Sequence, residues 1–167
     1  MAEFAEPEGH VGDVAALLAG YLRAYREVVI GKVEALDPAE LRVSRLPSGW
    51  SPIELVNHLA FMERRWLVWG FLGEAVDLPW GDDADGRWHV DGQTPLSQVV
   101  GRLRDVGHRT DVLLAENPLD RTAALGGRFA ENPPTLGWIC LHVLQEYARH
   151  AGHLDIAVEL AGGPTGE

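Results

Sequence analysis

The chain has 167 residues, 46% hydrophobic and 23% charged, with 14 Lys and Arg against 25 Asp and Glu and a formal charge of -11. That length fits one domain, residues 1–167, with its own core, and the charge argues against nucleic acid or an anionic membrane surface as a partner, since both reward clustered Lys and Arg. The single cysteine, Cys140, excludes an internal disulfide, while the lack of a leader-like start or a run of roughly 18 apolar residues predicts a cytoplasmic protein.

Residues 11–36 form the first predicted helix, because Val14, Leu17, Leu18, Tyr21, Leu22, Tyr25, Val28 and Val29 recur at steps of three and four. Asp37-Pro38 stops it, and residues 39–46 have room for one further turn. The second helix is announced by Ser51-Pro52-Ile53-Glu54: a capping serine, a first-turn proline and a glutamate at the third helical position. It is predicted to run to about Gly73, with Leu55, Val56, Leu59, Met62 and Leu67 inward and His58 on the same stripe.

Residues 76–93 lack periodicity and are rich in Gly, Asp and Trp, which predicts a long loop. Loops of that length tend to be functional, and Trp80, Trp88 and His89 are candidates to line or cover a pocket. Asp82, Asp83 and Asp85 superficially resemble a calcium loop, but the twelve-residue pattern with its closing glutamate is missing. Thr94-Pro95 is the predicted cap of a third helix ending at Glu116, with Val112 among its inward positions and His108 facing solvent. Residues 119–134 are irregular, with a short extended piece expected around Arg128 and Phe129. The last helix starts after the capping Thr135 and runs to about Leu160, with Ile156 and Leu160 counted inward; Gly162, Gly163 and Pro164 end it. Four long amphipathic helices without alternating strands predict an all-α four-helix bundle. The unequal loops argue against the simplest up-down-up-down arrangement with minimal turns.

The fourth helix carries His142, Glu146, His150 and His153. At about 100° per residue these four span roughly 80° of arc. A lone histidine on an apolar face is more often a hydrogen-bonded core residue than a ligand, but four ionisable groups on one stripe would each be costly to bury without a shared partner. A divalent cation such as zinc is the simplest one, since it takes imidazole nitrogen and carboxylate oxygen. His58 can join Glu146 and His150 across the bundle, giving three ligands and one open position, which is the catalytic pattern; structural zinc sites are closed by four.

The segments at residues 51–66, Leu136-Gly137-Trp138, Glu146 to Asp155 and Gly163 to Glu167 together resemble the DinB-like metalloprotein superfamily. The resemblance is greatest to its actinobacterial branch of mycothiol-dependent thiol transferases, related to the N-terminal domain of mycothiol-dependent maleylpyruvate isomerase. It implies a four-helix bundle whose ligands are one His of helix two and a pair four residues apart on helix four, here His58, Glu146 and His150. His142 and His153 then become pocket residues. The isomerase carries an additional C-terminal domain and this sequence ends at Glu167, so transfer of a thiol is expected in preference to isomerisation. The implied cosubstrate is mycothiol, conjugated to an electrophile through a thiolate held at a divalent metal: zinc first, nickel or manganese as alternatives. His153 is the candidate base. Cys140, in an apolar run, is expected to pack as a small hydrophobe. Two other classes stay open: a non-catalytic metal-binding bundle of the stress-response kind, and metal-dependent hydrolysis. A homodimer is the expected assembly.

Overall fold

A computed structural model describes residues 5–163; most of the tail noted above, residues 164–167, lies outside it, as do residues 1–4. The predicted bundle is present as α1 (Val14–Glu34), α2 (Pro52–Arg64), α3 (Leu96–Glu116) and α4 (Leu136–Leu160). α1 packs mainly on α4 and α3, and α2 on α3 and α4, so α1 lies diagonal to α2 and α3 diagonal to α4. Two of the three connections therefore cross a diagonal, which accounts for their length. Leu22, Val29, Leu55, Leu59, Leu103, Leu136, Ile139 and Leu154 fill the shared interior. Val14, Val112, Ile156 and Leu160, expected inward, are exposed, because each sits at the margin of its helix's apolar stripe.

The caps fix where each helix starts. Asp13 Oδ1 accepts from Ala16 N–H at 2.7 Å, so α1 begins at Val14 and not at residue 11. Glu54 Oε2 accepts from Ser51 N–H at 2.8 Å, the return arm of the capping box. Thr135 Oγ1 accepts from Trp138 N–H at 3.4 Å. Thr94 does not cap α3: Pro95 is the extended residue before Leu96, and the Thr94 carbonyl is taken by Arg42. Residues 38–42 form hydrogen-bonded turns, not a longer helix.

Two local departures from the expected pattern shape the site. α2 continues as a π-helical segment, Arg65–Phe71, ending near Gly73, where φ is +69°. The widened turn is visible in the bond from Leu72 N–H to the Leu67 carbonyl, five residues back. The predicted loop 76–93 contains a small antiparallel hairpin, β1 (Asp83–Ala84) and β2 (Arg87–Trp88). Its two turn residues, Asp85 and Gly86, both have positive φ, as a two-residue hairpin of this kind requires. In the segment 119–134 the extended pairing is a single bridge between Thr122 and Thr135; Arg128 lies in a bend, held by a bond from Gly126 N–H to the Phe129 carbonyl.

Candidate metal centre

α2 and α4 are neighbours, and on their facing sides stand His58, Glu146 and His150. One ligand atom of each lies within 4.8 Å of the others. His150 Nε2 is 3.1 Å from Glu146 Oε2, and His142 Nε2, one turn earlier on α4, is 3.5 Å from Glu146 Oε1. The His58 and His150 rings meet edge to face at 5.1 Å. His150 is 5% exposed and its Nδ1 has no hydrogen-bond partner.

Burial pushes the His150 pKa down to about 4; His58 and His153 push the same way, and Glu146 offsets part of the shift. At neutral pH His150 is therefore an uncharged imidazole with a free lone pair. His58 Nδ1 is 2.8 Å from Asp82 Oδ2. Since a carboxylate accepts, Nδ1 carries the hydrogen and the Nε2 lone pair is left for a ligand, the carboxylate–histidine arrangement typical of metal sites. Asp82 is only 2% exposed and is also held by Arg65 through both guanidinium Nη atoms. Burial alone would raise its pKa, but the bonds from His58 and Arg65 outweigh that and hold it below the usual carboxylate range.

Aromatic side chains flank the donors on two sides. Trp88 stacks on His58 at 4.1 Å and meets His150 edge-on at 5.1 Å. The hairpin sets this position: His89 N–H donates to the Asp82 carbonyl, and Asn57, next to His58, donates to the His89 carbonyl. Trp50 lies 5.9 Å from Trp88 and 6.3 Å from His153. On the other side Trp66 is 4.2 Å from His142, and Trp138 lies parallel to that ring at 5.6 Å.

Over residues 17–163 the sequence matches the family described as Mycothiol-S-transferase. The chain belongs to the mycothiol S-transferase family. The matched stretch includes all three metal-ligand candidates together with Asp82 and the flanking tryptophans. No curated protein matches the sequence.

The residues present suit a divalent ion of the kind the DinB-like superfamily implies. Two imidazoles, one kept neutral by burial and one oriented by a carboxylate, converge with Glu146, and this donor set is the one zinc takes. His153, the expected base, is half-buried with its ring 5.5 Å from His150. His142 reaches the second oxygen of Glu146. His89 is exposed and enters the site only through its backbone, because the strand β2 turns Trp88 inward and the next residue outward. His108 is exposed as expected, and Cys140 is buried. Asp82 and Arg65 were not legible as site residues: the first sits in an acidic loop and the second in a charged run. Trp50, Trp66 and Trp138 left only one trace, the six tryptophans of a short chain, four of which contact the site's histidines. Surface cavities of about 940 and 570 Å³, on the α1–α3 and α2–α3 sides, are lined by none of these donors.

Proposed function

We propose that the chain is a cytoplasmic, divalent-metal-dependent thiol S-transferase that joins mycothiol to a reactive electrophile, a detoxifying reaction, with His58, Glu146 and His150 as metal ligands and zinc as the preferred ion. The observation that carries this reading is the three-donor cluster in a chain of the mycothiol S-transferase family. His58, Glu146 and His150 would hold a divalent ion, and the chemistry it would supply there is a lowered pKa for a thiol brought to the site.

The chain's own residues do the rest. Asp82, charge-paired with Arg65, holds the His58 ring in one tautomer and one orientation. His142 braces the Glu146 oxygen that His150 leaves free. His153 is placed beside the cluster without belonging to it, and takes up the proton the thiol gives away. Trp88 and Trp50 cover the His58 side and limit water there. Residues 1–167 act as one domain, and a homodimer forms through the exposed α4 positions Leu141, Gln145 and Ala148 beside Tyr21 and Tyr25 of α1.

Two measurements test this reading. Elemental analysis of the purified protein is expected to find about one divalent ion per chain, lost in His58→Ala and in Glu146→Ala. Mycothiol with chlorodinitrobenzene is then expected to give conjugate faster with metal than without. Hydrolysis of a model ester in the absence of thiol would move the protein to the hydrolases. Metal binding without either reaction would leave a binding module. Sedimentation at two concentrations tests the homodimer.

A further inference from the structure

The connection between α3 and α4 is fastened to the π-helical segment by its backbone. Ala124 N–H donates to the Phe71 carbonyl at 2.9 Å and Arg128 N–H to the Trp69 carbonyl at 3.2 Å. The approach is close enough to need glycine: a Cβ on Gly127 would lie 2.2 Å from the Trp69 carbonyl oxygen. A Cβ on Gly70 would press on the Phe129 ring at 3.3 Å, with Arg128 Cδ 3.6 Å away. Arg128 and Phe129 are thus set firmly against the outer side of the Trp66–His142 flank.

The Arg128 guanidinium has an unusual setting. It lies 4.1 Å over the Trp66 ring and 5.7 Å from that of Trp80, with no carboxylate or carbonyl accepting from it among the described residues. Elsewhere the chain's abundant acids are used: Arg26 meets Glu63, Arg65 meets Asp82, Arg109 meets Glu74 and Arg23 meets Asp111. Arg128 has instead a second cation, Arg65, close enough to be felt, since both lie against Trp80. A half-buried guanidinium between aromatic faces and next to another cation favours an anion. Contact leads directly from it to the metal centre: Trp66 touches His142, and His142 touches Glu146. Trp138, 53% exposed, extends the aromatic surface outward, and Phe129 lies 6.2 Å from Trp66.

We propose that Arg128, with Trp66 and Phe129, forms the acceptor subsite, and that it selects flat conjugated electrophiles carrying a carboxylate or a like anionic group. The guanidinium, seated on Trp66, pairs with the anion, and the flat part lies against Phe129 and the exposed Trp138. This inference rests on the thiol-transfer reading for its placement in a reaction. Its binding half can be tested without that reading.

The probes are 4-chloro-3,5-dinitrobenzoate and the uncharged 4-chloro-3,5-dinitrobenzamide. In the transfer, the thiol's proton goes to a base, the S–C bond forms, the C–Cl bond breaks and chloride leaves. The native metal-loaded protein is expected to favour the benzoate once each rate is divided by its uncatalysed rate. Arg128→Gln is expected to raise KM for the benzoate by about tenfold to a hundredfold and to abolish its preference over the benzamide, with Arg128→Lys recovering part of the loss. Tryptophan-fluorescence quenching by unreactive 3,5-dinitrobenzoate gives the same comparison without turnover. Arg128-dependent binding with no transfer would keep the subsite and remove the reaction. Equal quenching in native protein and Arg128→Gln, or equal losses for benzoate and benzamide, would overturn the subsite and assign Arg128 to holding the loop.

Discussion

Two clusters of ionisable side chains share α2 and α4, and they are built on opposite terms. Glu63, five residues after His58, is completely buried, and all four helices contribute to its cluster. It accepts from Arg26 of α1 at 2.8 and 3.1 Å, from Thr110 of α3, and from Tyr147 of α4, which is adjacent to Glu146 in sequence. Gly107 on α3 makes room, since a Cβ there would meet Arg26 Cδ at 2.7 Å. Positive and negative charge cancel, and the carboxylate's acceptor positions are used. The His58–Glu146–His150 cluster has donors that face one another, a buried nitrogen without a partner, and an imidazole kept neutral by burial. A closed network specifies the packing of the helices; an open one retains the capacity to bind.

The comparison breaks most easily at Glu63. Glu63→Ala removes both hydrogen bonds to the buried Arg26 and leaves it only the Asp111 carboxylate at 3.7 Å, and urea denaturation of the metal-free protein should show a loss of about 3–5 kcal/mol. Glu146→Gln, in the same measurement, should shift stability by less than about 0.5 kcal/mol while reducing metal retention. Equal costs for the two would mean that both clusters are structural.

Asp82 stands between the two kinds, a buried paired carboxylate whose service is to a ligand. Asp82→Asn should weaken metal binding about 10- to 100-fold by calorimetry. In the metal-free protein its effect depends on pH. The folded-state pKa lies below the unfolded value, so the stability it adds is complete at neutral pH and is lost as pH falls below the usual carboxylate range and through the depressed folded-state pKa. The native protein should therefore lose stability over that acidic window more steeply than Asp82→Asn; parallel acid limbs would contradict the assignment. Tyr147→Phe deletes one of the donors to Glu63 and should cost about 1.5 kcal/mol with no change in metal content.

The bundle and the α4 stripe were legible because both follow the helical period: apolar residues at steps of three and four, and possible ligands at the same steps. Ser51-Pro52-Ile53-Glu54 states its capping box locally, and both arms of it form. Glu63-Arg64-Arg65 reads as a solvated face, yet Glu63 and Arg65 are buried, since their partners Arg26 and Asp82 lie far away in sequence and the π-helical step turns Arg65 inward. Nothing local marks that step. Asp82 was hidden in a run of acids for the same reason: only its non-local partners, His58 and Arg65, distinguish it from exposed Asp83 and Asp85. The hairpin was signalled by Asp85-Gly86, but its strands are two residues long, too short to show alternation.

The smallest expected effect concerns Cys140, the only thiol in the chain. It stands on α4 beside the site's helix face, but it belongs with the closed cluster. Burial, helped by the Glu63 carboxylate and only partly opposed by Arg26, pushes its pKa up to about 12. At neutral pH almost none is thiolate, and a buried thiol cannot meet a reagent without an opening of the helix. A disulfide-exchange reagent should therefore leave the native protein unmodified at pH 8 and react with one thiol per chain after denaturation. Cys140→Ala should leave the conjugation rate within about twofold, because the change removes a buried sulfur and no group that touches either substrate. Rapid labelling of the folded protein, or loss of conjugation in the variant, would transfer the nucleophile from the added thiol to the chain itself and remove the distinction between a cluster that holds the fold and one that binds.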